Sequence, residues 1–200
     1  AHHLGTALEA QGAEPASFGA LLARAGVDGD AKVYENPEWV GVRCACVAAS
    51  TGEKSTLALL LAIGADACAK PGDRNGYSPV HWAAKHDQSD VLYMLQKCAP
   101  AAVSDDNVTV GGWTALHVAA RSPVTHRTFS ALVEAGLSVQ QQAKAFSYAP
   151  IHIAARYGQA SNIIDLVQLG ASAGAVDSEG RTALHLAATG GHVDALRLLL

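Results

Sequence analysis

Apolar residues along this chain fall at helical spacing, in short runs that come in pairs. Val80, Ala83 and Ala84 make one run, and Val91, Leu92, Met94 and Leu95 the next. Leu116, Ala119 and Ala120 are likewise followed by Phe129, Leu132 and Val133, and Ile151 to Arg156 by Ile163, Ile164, Leu166 and Val167. Spacings of i, i+3 and i+4 put the apolar side chains on one face of a helix. Between the two runs of a pair stands a turn residue, Gly52, Gly158 or Gly191, with Pro123 in one pair. After the second run comes a stop such as Gly64, Gly136 or Gly170, where a left-handed helix cap favours glycine. The pattern predicts helix-turn-helix units joined by polar, turn-rich segments such as Asp73-Arg74-Asn75-Gly76-Tyr77.

The units repeat. Thr182-Ala183-Leu184-His185-Leu186-Ala187-Ala188 has near copies at Thr114 to Ala120, Ser78 to Ala84 and Ala149 to Ala155. A worn copy runs from Arg43 to Ala49. Cys46, His81, His117, His152 and His185 hold the same place in their copies and mark a nearly constant period. A fixed period in this range means stacked units, each too small to bury its own apolar face, sharing one continuous core. Ser78, Thr114 and Thr182 can cap their helices, proline is tolerated at the first helical position, and paired alanines let neighbouring helices approach.

These copies resemble the ankyrin repeat family, whose signature is Thr-Pro-Leu-His-x-Ala-Ala at a period of about 33 residues. The resemblance implies an all-α solenoid of stacked helix-turn-helix units with β-turn fingers, about five to six repeats long. The expected repeats lie at about 40–67, 73–101, 109–138, 145–172 and 177–200, the last of them truncated. Residues 1–30 read as a degenerate capping repeat with helical faces at Leu4, Ala7, Leu8 and at Phe18, Leu21, Leu22; the array occupies 31–200, and Asp28 to Trp39 reads as a polar connector. Lys144-Ala145-Phe146-Ser147 stands where Asp-x-x-Gly is expected, so that finger turn departs most from the pattern.

Composition agrees and narrows the function. Half the residues are hydrophobic but only 6% are aromatic. That balance suits close-packed helices. The net charge of -4 lacks the basic excess of a nucleic-acid binder. No apolar run reaches the ~20 residues that span a bilayer. Cys44, Cys46, Cys68 and Cys98 show no Cys-x-x-Cys spacing, and Cys44 and Cys46 replace Pro and His of the motif as small buried hydrophobes. A reducing, intracellular and cytoplasmic setting, and a monomer, are expected.

Several stretches invite chemistry and fail on it. Four of the nine histidines, His81, His117, His152 and His185, share one repeat position. Stacking separates such positions by ~10 Å, whereas metal ligands converge on one ion at ~2 Å; in the family this His bonds to backbone and joins neighbouring fingers. Gly52-Glu53-Lys54-Ser55-Thr56 partly matches a phosphate-binding loop, but Glu53 stands where a glycine must precede the lysine. Asn107-Val108-Thr109 fits a glycosylation sequon, a weak pattern. Some family members are hydroxylated on a finger Asn; the aligned positions here hold none, Cys68 standing at one. No catalytic residue, metal or cofactor is expected.

The resemblance implies that the residue after the finger glycine and the two before the inter-helix turn face a concave groove. Here these include Tyr77, Lys85, His86, Trp113, Arg121, Tyr148, Arg156, Tyr157 and Arg181. Three units thus pair an aromatic with a cation: Tyr77 with Lys85, Trp113 with Arg121, and Tyr148 with Arg156. Tyr, Trp and Arg are the residues enriched at interface hot spots. The expected function is a protein-protein interaction module that binds a protein or acidic peptide, extended or helical, with no catalysis of its own. The alternative is a substrate-recruiting or regulatory segment of a larger multidomain enzyme or channel.

Overall fold

The computed structural model describes residues 37–62, 65–70 and 75–200, with side chains from Cys44 onward. The capping unit expected at 1–30, the Gly64 stop and residues 71–74 of the first finger lie outside the described residues. Within the described residues, ten α-helices form five pairs: α1 (Pro37–Thr51) and α2 (Lys54–Ala62), α3 (Pro79–Lys85) and α4 (Ser89–Cys98), α5 (Ala115–Arg121) and α6 (His126–Glu134), α7 (Pro150–Arg156) and α8 (Ala160–Gln168), α9 (Ala183–Gly190) and α10 (Val193–Leu199). A 3-10 turn, Pro100–Ala102, follows α4. No strand occurs among the described residues.

The pairs stack in two layers. First helices pack in the order α1, α3, α5, α7, α9, and second helices in the order α2, α4, α6, α8, α10. The first layer is built on alanine pairs, Ala48-Ala49, Ala83-Ala84, Ala119-Ala120 and Ala154-Ala155, all fully buried. With no side chain beyond Cβ, the helix backbones approach closely. The second layer supplies bulk from Leu57, Leu60, Leu92, Leu95, Phe129, Leu132, Ile163 and Leu166, and all these residues join one apolar cluster along the stack. Each unit's core wall is therefore its neighbour's.

Local chemistry sets the helix bounds. Ser78, Thr114 and Thr182 precede α3, α5 and α9 in extended conformation, and Pro79 and Pro150 occupy first-turn positions. The worn copy has Arg43-Cys44 instead of a cap and a proline. With nothing to end it there, α1 runs back to Pro37 and reaches 15 residues, so helix replaces the end of the connector expected up to Trp39. Gly52, Gly158 and Gly191 make the inter-helix turns with φ of 82°, 68° and 69°. Between α3 and α4 Asp87 takes that role at φ 58°. Its carboxylate accepts bonds from the Thr125 N–H at 2.9 Å and from the hydroxyls of Thr125 (2.9 Å) and Thr128 (2.7 Å), tying that turn to the start of α6.

The fingers close by backbone bonds: Thr109 N–H to Trp113 C=O (2.9 Å), Ala143 to Tyr148 (2.8 Å) and Asp177 to Arg181 (2.9 Å). Neighbouring fingers join through Val110 N–H to Asn75 C=O at 3.1 Å and Ser178 N–H to Phe146 C=O at 3.0 Å. The glycine-free finger at 144–147 forms its turn regardless, with Phe146 at φ 62° and Ser147 at φ 50°. Non-glycine residues there carry about 1–2 kcal/mol of strain each, offset by the stacked units that hold both ends.

Candidate functional site

The motif histidines form a row of hydrogen bonds rather than a site. His81 Nδ1 accepts from the Ser78 N–H (3.3 Å) and hydroxyl (2.8 Å), which leaves the proton on Nε2 to be donated to Trp113 C=O at 3.2 Å. His117 does the same between Thr114 and Tyr148 C=O, the latter at 2.8 Å. His152 takes the Ala149 N–H and reaches Ala175 C=O at 3.0 Å. Each imidazole caps its own helix and holds the next finger. Burial lowers the pKa of both His81 and His117 to about 4, so both are neutral at pH 7. Cys46, at the His position of the worn copy, turns its thiol to Tyr77 C=O at 3.9 Å, the same register with a weaker donor. Asn107, the sequon residue, is buried and donates to the Ser78 hydroxyl and Ala102 C=O. Cys44 and Cys46 are buried, and burial pushes the Cys44 thiol up to about 11, far from a reactive thiolate. Among the described residues no group of His, Cys, Asp and Glu could hold a metal ion.

The fingers and the ends of the first helices carry the aromatic and cationic side chains on one face. Lys85, the last residue of α3, sets its ammonium 4.7 Å over the Trp82 ring and 5.8 Å from the Tyr77 centroid. Tyr77 lies edge-on to Trp82, and Trp82 stacks on His86 at 5.7 Å. Arg156, the last residue of α7, lies 5.8 Å over Tyr148 and donates to its hydroxyl at 2.9 Å. Arg181 donates to the same hydroxyl at 3.0 Å and pairs with Asp177 and Glu179. Arg121, the last residue of α5, lies over Tyr157 at 4.8 Å, one unit on from Trp113, the ring expected to carry it. Tyr77 and Tyr148 are only 5% and 4% exposed, so their rings floor this face beneath the cations.

A cleft of about 200 Å³ opens beside these rings, lined by Trp113, Phe146, Tyr148, Ile153, Arg156 and Tyr157 among others. Phe146 is 56% exposed and stacks on Tyr148 at 5.5 Å. On the second-helix side a shallower cleft of about 460 Å³ is lined by Lys54, Asp90, Tyr93, Met94, Lys97, Cys98 and Arg127. There Asp90 pairs with Lys54 at 3.5 Å and Arg127 at 2.7 Å.

Residues 45–143 and 126–200 match the family model described as ankyrin repeats (3 copies). The chain belongs to the ankyrin repeat family. It is similar to the human neurogenic locus notch homolog protein 1, 33% identical over 128 residues that make up 64% of this chain and 5% of that protein. The Danio rerio protein of the same name is 31% identical over 129 residues, and human neurogenic locus notch homolog protein 2 is 29% identical over 128 residues, with the same coverage. The chain thus spans about 5% of the length of these relatives. Ankyrin repeats are protein-interaction modules. No helix among the described residues is long and apolar enough to cross a membrane.

Within this ankyrin array two ring-bearing positions escape the groove pattern. Trp82 follows the motif His, where the other copies carry an aliphatic residue, and that substitution is its signal. Phe146 sits in the finger that lacks its glycine; the departure is visible in the sequence, its outcome is not. A second ladder also escapes the pattern: Gln88 and Gln159 donate to the Ser50 and Arg121 carbonyls, and His192 Nε2 meets Arg156 C=O at 3.0 Å, each fixing the end of the previous unit's first helix.

Proposed function

We propose that this segment is a protein-interaction module that takes an acidic segment of a partner protein in the groove formed by its fingers and first helices. The observation that carries the reading is a contrast in charge pairing. Lys54, Arg127, Arg181 and Arg197 each have a carboxylate partner. Lys85, Arg121 and Arg156, one at the end of each of three successive first helices, have no carboxylate partner among the described residues, and unlike the similarly unpaired Lys70, Lys97 and Lys144 each lies over a ring. An aromatic bed holds a cation in place but leaves its charge to be met by a ligand. Trp82, Tyr77, Tyr148 and Tyr157 supply the bed, with Trp113 on the wall of the cleft beside it and His86 and Arg181 at its margins.

The test compares affinity capture by the wild-type segment with capture by a Trp113→Ala, Arg121→Gln, Arg156→Gln variant of unchanged helical content. The expected outcome is loss of the main captured proteins from the variant. Equal recovery of the same proteins would remove the groove from the account. A second reading is supported by the 5% coverage of the notch relatives, in which the matching stretch is a small part of a long chain. The segment then recruits or regulates on behalf of a larger protein, through the same surface.

A further inference from the structure

Resting on that acidic-ligand reading, we infer that its anchor is a single cleft: the one walled by Trp113, Phe146, Tyr148 and Tyr157 takes one aromatic side chain of the partner, while acidic residues beside it in the partner's sequence meet Arg121 and Arg156.

The two cations converge here although they come from different units. Arg121 ends α5 and Arg156 ends α7. Arg156 lies over Tyr148 and Arg121 over Tyr157, and both rings line the one cleft. Among the described residues no carboxylate lines it. Arg181 also reaches the Tyr148 hydroxyl, but Asp177 and Glu179 match its charge. Lys85 stands apart, over Trp82 and Tyr77. The finger makes the cleft particular to one unit. Its closing bond, from Ala143 to Tyr148, encloses one residue more than the bonds from Thr109 to Trp113 and from Asp177 to Arg181. Within that longer loop Phe146 stands exposed as the outer wall. The other two fingers carry Val110-Gly111-Gly112 and Ser178-Glu179-Gly180, with no ring.

Charge decides the occupant. Aromatic walls often receive a cation. Here guanidinium groups already cover two of the rings, so a further cation is repelled and an anion is drawn in. Burial decides how the occupant sits. Arg121 and Arg156 are exposed, whereas Tyr148 and Ile153 are buried. Charge therefore lies at the mouth and apolar surface within. A side chain charged at its tip, such as phosphotyrosine, would carry that charge past the arginines onto apolar walls, at a desolvation cost. An uncharged ring enters without that cost, and the acids next to it in sequence stay at the mouth. Ring packs on ring in offset or edge-on contact, a gain beyond the area buried. At about 200 Å³ the cleft suits one side chain. Small-molecule sites are larger, at about 300–1,000 Å³.

Fluorescence polarisation on the whole chain tests this with three labelled peptides. Each is a run of glutamates with one central residue: phenylalanine in the first, alanine in the second, phosphotyrosine in the third. Burying a large apolar side chain is worth about tenfold or more in Kd, so the first peptide is expected to bind at least about that much tighter than the second. Phe146→Ala should remove most of this advantage and leave the alanine peptide unchanged. Arg121→Gln with Arg156→Gln should weaken the phenylalanine peptide by about tenfold at low salt, while Lys85→Gln changes it little; circular dichroism confirms the fold of each variant. Equal binding of the phenylalanine and alanine peptides overturns the anchor and leaves the acidic groove standing. So does a loss on Lys85→Gln as large as that of the arginine pair. Tightest binding by the phosphotyrosine peptide overturns the order of ring within and charge at the mouth. Failure of all three to bind overturns both the anchor and the reading beneath it.

Discussion

Lowering the pH from 7 to 5 sets His81 and His117 against their own burial. In the folded chain both sit near pKa 4, against an ordinary value of 6.5, chiefly because burial disfavours the charged ring, with Lys70 and His117 adding to the effect at His81 and His152 at His117. The unfolded chain therefore binds more protons than the folded one between these values, and stability falls as pH falls through 6.5, flattening near 4. At pH 5 the unfolded histidine is almost wholly protonated and the folded one almost wholly neutral. Each then contributes a loss of about 2 kcal/mol relative to pH 7, the two together about 4 kcal/mol. His152 is lowered in the same direction and adds to the loss, while Asp105, raised by burial, opposes it. A sum of about 4 kcal/mol is a large share of a domain's stability. Urea unfolding followed by circular dichroism at pH 7, 6 and 5 and constant ionic strength measures it. The control is His117→Gln, which starts less stable at pH 7 because it loses the Thr114 and Tyr148 bonds. On acidification it should nonetheless lose about 2 kcal/mol less than the parent, one histidine's share. A variant with the full pH dependence of the parent refutes the claim that the motif histidines are buried neutral.

Other consequences are separable. Gly112→Ala puts a Cβ 2.9 Å from the Lys144 backbone nitrogen in a residue at φ 75°. A loss of about 2 kcal/mol or more is expected in the same unfolding assay. Ser147→Gly relieves a left-handed non-glycine residue and should raise the melting temperature, by about 1 kcal/mol of stability. Leu132→Ala opens the fully buried second-helix layer in mid-array and should cost about 2–5 kcal/mol. Asp87→Ala removes the acceptor of three bonds to the start of α6, and hydrogen exchange should rise at Thr125 and Thr128 before it rises at Leu92.

The architecture is legible in the sequence because it rests on a period. Five copies of one short motif locate every first helix, and the glycines at 52, 158 and 191 locate the turns between helices, because a positive φ at those places is a demand on residue type. Cys46 can be placed by register alone, and it turns to the carbonyl that its position dictates. The partnering of surface rings is less legible. A cation at the end of a first helix can lean onto its own unit's ring, as Arg156 does, or onto the next unit's, as Arg121 does; the choice depends on side-chain reach across the stack, which no one-dimensional pattern encodes. The start of α1 escapes the pattern because absence of a stop signal extends a helix as surely as presence of one ends it.

The finger at 144–147 shows how the array tolerates such departures. An isolated turn with Phe146 and Ser147 both left-handed would relax, since each carries about 1–2 kcal/mol of strain. Here its two ends are fixed independently. His117 holds Tyr148 from the preceding unit, and Phe146 C=O receives the Ser178 N–H of the following finger. Strain that neighbours over-determine persists. Its effect is to hold an exposed aromatic ring out beside a cleft. A glycine at that position would form the turn at less cost and leave the cleft without its outer wall. The same stacking that lets each unit borrow a core thus lets one unit carry an unfavourable backbone for the sake of what its side chain presents.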